Sequence, residues 1–222
     1  MQTKQLKQIL CYGDSNTFGF DGRGMADDGF GGRYDKNTRW TGLLDRMLGE
    51  DYEIIEEGMC GRTTIFEDPL VPGRNGLTFL NVAVASHDPL DLVVVMLGTN
   101  DLRDIFPTTE QVCAEAMTRF VMRLKEILAA SMNPSCKILI VSPVHPTKNK
   151  YGSFCYDYNE KAINLGPKLA SLYQKVAEQQ GCHFADADQW CAVDENDGVH
   201  LNAEGHRAVA EKLAALIPTI VG

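Results

Sequence analysis

Five short apolar runs, at residues 9–12, 52–56, 92–97, 137–142 and 183–185, alternate along the chain with longer segments of helical spacing. The helical segments fall at 40–48, 77–86, 110–130, 159–179 and 203–217. A continuous run of Val, Ile and Leu with no polar alternation suits a strand buried on both faces. Strands of that kind joined through helices form right-handed βαβ units. The pattern therefore predicts an α/β fold with a five-stranded parallel sheet covered by helices on both sides. No repeat, low-complexity tract or linker interrupts it, so residues 1–222 read as a single domain. The Gly-rich stretch 21–32 reads as a surface loop.

Charge narrows the partners. Thirty acidic against 21 basic residues give a formal net charge of −9, which argues against a nucleic-acid backbone and against an anionic membrane surface. The seven cysteines are odd in number and without CxxC spacing, so they read as reduced thiols. The first ten residues carry no signal-peptide core or spanning helix, and with the thiols they suggest a cytoplasmic protein.

In an open parallel sheet the functional residues gather at the carboxyl ends of the strands. Two polar motifs stand there: Gly13-Asp14-Ser15-Asn16 after the first run and Gly98-Thr99-Asn100-Asp101 after the third. A third, Asp197-Gly198-Val199-His200, precedes the last helix, for which Asn202 is a suitable N-cap. A serine hydroxyl is a weak nucleophile at neutral pH and needs a base, itself held by a third group. Ser15 is the candidate nucleophile, His200 the base and Asp197 its orienting carboxylate, with Asp194 and Glu195 at unsuitable spacing. Attack on a carbonyl builds charge on oxygen, which preorganised donors stabilise. Asn100 offers a side-chain amide, and the backbone N–H groups of Ser15 and of Gly61, in the turn Gly58-Met59-Cys60-Gly61, complete a candidate oxyanion hole.

With these blocks in hand, the chain resembles the SGNH, or GDSL, hydrolase family. Ser15, Gly61, Asn100 and the Asp197-x-x-His200 pair match the family's four blocks in order, over roughly residues 9–216. The resemblance implies a flavodoxin-like three-layer sandwich, a Ser-His-Asp triad, a three-donor oxyanion hole and no cofactor. Within the family, Arg39-Trp40-Thr41-Gly42, Ile55-Glu56-Glu57-Gly58 and Arg62-Thr63-Thr64 look like the intracellular bacterial arylesterases and acyltransferases, which implies short-chain acyl esters as substrates. Asn16, Phe18, Phe20 and Trp40 are the candidates for the substrate pocket. Asn16, with the polar stretch 147–151, points to a wet site that favours hydrolysis over acyl transfer. A small-molecule ester is the expected partner, and a homo-oligomer is left open.

Other readings of the same residues fare less well. A sugar deacetylase or a thioesterase would use the same triad. A silent binding protein on this fold would have no need of all four blocks. A phosphoacceptor domain would need a lysine at a strand end, and Lys148 lies beyond one. His206 reads as a packing or capping residue, His87 as a helix-end residue, His145 as a loop residue and His183 as part of the fifth strand. Asp186 and Asp188 read as solvated carboxylates rather than metal ligands, and Gly19, Gly22 and Gly24 do not make a dinucleotide loop. Cys60, beside Gly61, reads as a small buried hydrophobe.

Overall fold

Each strand of the central sheet sends alternate residues to opposite faces, and this divides the interior into two cores. The computed structural model describes residues 6–23 and 32–222. In chain order its elements are β1 (Lys7–Gly13), α1 (Ser15–Phe18), β2 (Phe20–Asp21), β3 (Gly32–Arg33), α2 (Trp40–Leu48), β4 (Tyr52–Gly58), α3 (Gly76–Ser86) and β5 (Leu92–Met96). There follow α4 (Glu110–Ala129), β6 (Lys137–Ser142), α5 (Glu160–Leu165), α6 (Leu169–Gln180), β7 (His183–Asp186) and α7 (Ala203–Val221). The main sheet is parallel in the order β4-β1-β5-β6-β7, while β2 and β3 form a small antiparallel ribbon. That is the flavodoxin-like order, with its switch point between β1 and β5.

Leu10, Tyr12, Val93, Val95, Ile138 and Ile140 face α3, α4 and α6. Ile9, Cys11, Leu92, Val94, Leu139 and Val141 face α2 and α7. A buried side chain of this size contributes about 1.5–3 kcal/mol, so the two alternating sets along each strand each hold one helical layer to the sheet. Among the described residues no helix is long and apolar enough to cross a membrane.

One expectation needs correction. The helix predicted over 159–179 is two helices, α5 and α6, joined by a 3-10 turn at Gly166–Lys168. Pro167 brings no backbone N–H and cannot continue a helical ladder, which accounts for the break. The Gly-rich loop falls mostly on residues 24–31, outside the described residues.

Candidate active site

The Ser15 side chain owes its position to a turn of helix that begins at the end of β1. Asp14 caps that turn, its Oδ1 accepting from the Asn16 N–H at 2.9 Å, and Ser15 is the first helical residue. Its Oγ lies 2.9 Å from Nε2 of His200. Nδ1 of His200 lies 2.7 Å from Oδ2 of Asp197. The other oxygen of Asp197 accepts the backbone N–H groups of Val199 and His200 at 2.8 and 2.9 Å. Burial alone would raise the Asp197 carboxyl, but the His200 ring and these two donors outweigh it and hold it below the usual carboxylate range. With a carboxylate on Nδ1, the imidazole carries its proton there and presents Nε2 to the serine as an acceptor.

The loop that carries His200 is fixed on several sides. Asp194 receives a backbone bond at its carbonyl from Gly198 and donates its own N–H to His200. Its side chain accepts from Asn196, so Asp194 shapes the turn rather than serving the imidazole. Asn16 reaches across from α1, accepting from the Leu201 N–H at 2.9 Å and donating to the Val199 carbonyl at 3.4 Å. One side chain therefore joins the helix of Ser15 to both neighbours of His200.

The proposed oxyanion donors meet in one cavity. About 170 Å³ in volume, it is lined by Ser15, Gly61, Asn100 and His200, and also by Phe20, Tyr156 and Tyr158. Among the described residues no acceptor takes the backbone N–H of Ser15 or Gly61. Gly61 has φ +76°, a conformation that a residue with a Cβ rarely adopts. Asn100 gives one amide hydrogen to the Arg62 carbonyl at 3.0 Å and receives the Tyr158 hydroxyl at Oδ1, which turns its nitrogen toward the donors.

Two buried residues tie these loops together. The Arg62 guanidinium lies 4.1 Å from the centre of the Tyr12 ring and donates to the carbonyls of Gly13 and Glu57, at the ends of β1 and β4. Asp101 accepts from both the N–H and the hydroxyl of Thr64, and burial pushes its carboxyl up to about 6.

The pocket differs from the sequence expectation. Phe20 does lie at the site, its ring centre 4.4 Å from that of His200. Trp40 does not. It is fully buried in the core between α2 and α7, because it opens α2 on the face that meets the sheet. Phe18 packs under the Arg33 guanidinium at 4.2 Å, outside the cavity. Asn16 is also absent from the cavity wall, since both polar ends of its side chain are committed to the His200 loop. It therefore adds no water to the pocket.

Two residues missed by sequence reasoning take the vacated roles. Tyr156 is the one described non-glycine residue with positive φ, at 56°, and it sets its ring edge-on to His200 at 5.6 Å. Arg103 borders the cavity, held by Asp68 and Asp157 at 2.6 and 2.7 Å. Nothing in a single sequence marks a tyrosine for the left-handed region.

The remaining histidines also find their places. His206 is fully buried and its Nδ1 accepts the Trp40 N–H at 3.2 Å, so α7 caps the start of α2. Burial pushes the His206 ring down to about 3, so it is neutral. His87 closes α3 and lies 3.4 Å from Glu57. His145 lies in the loop after β6, as expected, whereas Asp188, expected as a solvated carboxylate, pairs with its ring at 2.8 Å. Asp186 caps a 3-10 turn. Cys60 lines the cavity half-buried, and burial pushes its thiol up to about 11. Among the described residues no cluster of three or more His, Cys, Asp or Glu side chains could hold a metal ion.

Comparison with known proteins bears on the family and the fold. Residues 11–208 match the GDSL-like Lipase/Acylhydrolase family. The native aryl esterase of M. smegmatis superposes with a TM-score of 0.89 at 34% identity, over 96% of this chain and 99% of that one. The carbohydrate acetylesterase Est24 of Sinorhizobium meliloti superposes with a TM-score of 0.85, also at 34% identity, over 96% and 99%. A GDSL lipase of Mycobacterium tuberculosis is 27% identical over 220 residues, 96% of this chain and 82% of the relative.

Proposed function

The chain belongs to the GDSL-like Lipase/Acylhydrolase family, and from that premise we propose that it hydrolyses short-chain acyl esters through an acyl-Ser15 intermediate. The observation that carries the proposal is the 2.9 Å approach of His200 Nε2 to Ser15 Oγ at the wall of a small cavity. His200 takes the hydroxyl proton as Ser15 attacks the ester carbonyl, then delivers it to the departing alcohol. The same nitrogen next activates a water, which breaks the acyl-serine bond and releases the acid. Asp197 orients the ring and stabilises the imidazolium. The Ser15 and Gly61 N–H groups and the Asn100 amide receive the oxyanion.

Cavity size supports short acyl groups. A volume of about 170 Å³ between Phe20, Tyr156 and Tyr158 has room for an acetyl-to-butyryl group but not for a fully buried long chain. A chain that stays outside forfeits about 0.8 kcal/mol for each methylene that a fitted pocket would have buried. The activity calls for no membrane, nucleic acid or cofactor, only a small ester. The same triad serves an aryl ester or an acetylated sugar, and the likeness to both kinds of esterase keeps a sugar acetate as the second reading.

The test is a series of p-nitrophenyl esters with acetylated sugars and an acyl thioester beside them. We expect kcat/KM to peak at acetyl to butyryl and to fall about tenfold at octanoyl. Ser15→Ala should lower turnover by about three orders of magnitude, and a fluorophosphonate should label the peptide that contains Ser15. A preference for octanoyl would overturn the reading of the pocket, and undiminished turnover by Ser15→Ala would overturn the nucleophile.

A further inference from the structure

We propose that Gly22 is a positioning residue of the triad, whose bare backbone packs against the catalytic carboxylate and seals it from water. The inference rests on the assignment of Asp197 and His200 given above. Asp197 directs both oxygens at its own loop: Oδ1 accepts from Val199 and His200, and Oδ2 accepts from His200 Nδ1. Gly22 covers the same carboxylate from outside that loop. A Cβ built on Gly22 would overlap Oδ2 of Asp197 and would press on its Cγ at 3.0 Å. No side chain fits between them, and Asp197 is only 3% exposed.

The backbone at Gly22 is held in place. Asp21 pairs with Gly32 in the β2–β3 ribbon, and its carboxylate accepts from the N–H, Nε and Nη2 of Arg23. The Gly19 carbonyl takes the Tyr34 N–H at 2.8 Å. Two residues before Gly22, Phe20 sets its ring on His200. The segment from Phe20 to Gly22 thus covers base and carboxylate together. The φ of Gly22 does not lie in the left-handed region, so alanine is allowed there by the backbone, and the cost of a methyl group arises from the carboxylate alone. Asp197 has a short side chain, and both of its oxygens are already bonded within its own loop. Displacing it displaces His200.

The experiment is a double-mutant cycle between Gly22→Ala and Asp197→Ala, with Ser15→Ala as the reference for the triad itself. Gly22→Ala should lower kcat by about 10- to 100-fold with KM changed less than about threefold, the usual cost of misplacing a catalytic group by a fraction of an ångström. Asp197→Ala removes the atoms the methyl group would strike, so adding Gly22→Ala to it should cost less than about twofold. Thermal melting gives a second cycle that needs no activity: Gly22→Ala should lower Tm less in the Asp197→Ala background than in the wild type. Neutral behaviour of Gly22→Ala, or equal losses in both backgrounds, would overturn the role of Gly22 while leaving the triad intact. Activity in Ser15→Ala would instead remove the assignment on which the inference stands.

Discussion

Among the described residues two histidine–aspartate pairs share the same internal geometry, and only one of them faces a serine hydroxyl. In the first, Asp197 accepts the backbone N–H of His200 at 2.9 Å with one oxygen and Nδ1 at 2.7 Å with the other. In the second, Asp188 accepts the backbone N–H of His145 at 2.9 Å and Nδ1 at 2.8 Å. Both histidines follow the carboxyl end of the sheet. The difference lies at the far nitrogen. His200 Nε2 meets the Ser15 hydroxyl in the cavity that Gly61 and Asn100 also line, and its side chain is 7% exposed. His145 is 35% exposed and opens on a groove of about 400 Å³, more than twice the volume of the catalytic cavity. Among the described residues no hydroxyl or thiol bonds its Nε2. Cys191 lines that groove, but burial pushes its thiol up to about 11, so it is protonated at neutral pH. A carboxylate holds the imidazole in both loops, and what separates the two pairs is what surrounds Nε2.

The sharpest way to break this comparison is to cut both pairs in parallel. His200→Ala and Asp197→Asn should each lower kcat by about two to four orders of magnitude, since the base and its orienting group act as a unit. His145→Ala and Asp188→Asn should keep activity within about threefold, measured on acetyl esters in folded protein, because their pair touches no reacting atom. Comparable losses from the two pairs would show that the His145 loop carries catalysis through the Thr147–Gly198 backbone contact, which links it to the catalytic loop at 2.7 Å.

The sequence discloses one of these pairs and conceals the other for a physical reason. Asp197 and His200 are three residues apart in one turn, a separation that a single sequence displays. Asp188 and His145 are 43 residues apart, and they meet only because β6 and β7 are adjacent in the sheet. The same distinction runs through the fold. Each strand and helix has a local signature, so the five-stranded parallel sheet can be read from apolar runs and helical spacing, and Ser15 and Asn100 can be placed at strand ends. The orientation of a side chain at the rim has no such signature. Trp40, expected at the pocket wall, belongs to the motif Arg39-Trp40-Thr41-Gly42, and its position at the start of α2 turns it into the core. Tyr156 reaches His200 through a backbone conformation that its neighbours impose.

Removing an oxyanion donor probes the surroundings of Nε2 without touching the pair. Asn100→Ala should reduce kcat by about 10²-fold and leave KM nearly unchanged, because the amide contributes chiefly when charge develops on the carbonyl oxygen. Loss of the Asn100 side chain also frees the Arg62 carbonyl and the Tyr158 hydroxyl, so Asn100→Asp, which keeps the shape but not the donor, is the companion variant. A rise in KM alone in both variants would make Asn100 a substrate-binding residue and not an oxyanion donor.

The smallest expected effect isolates what the second pair does. The bond to Asp188 raises the His145 ring above its usual value of 6.5, against the opposing pull of partial burial. A histidine whose folded pKa lies above its unfolded one binds its proton more tightly in the native state. Its contribution to stability is therefore complete below pH 6.5 and is lost as pH rises through the raised value. Because the ring is about one-third exposed, solvent screening keeps that contribution below about 1 kcal/mol. His206 has the opposite sign: pushed down to about 3 by burial, it favours unfolding as pH falls from 6.5 toward that value. The wild-type stability curve therefore mixes the two, and the His145 part has to be read as a difference between variants. His145→Gln should lower Tm by a few degrees more at pH 5.5 than at pH 8.5, with kcat on acetyl esters preserved at both. An equal loss at the two pH values would mean that the pair holds its loop by packing and neutral hydrogen bonds, leaving charge to matter only where Nε2 meets a serine.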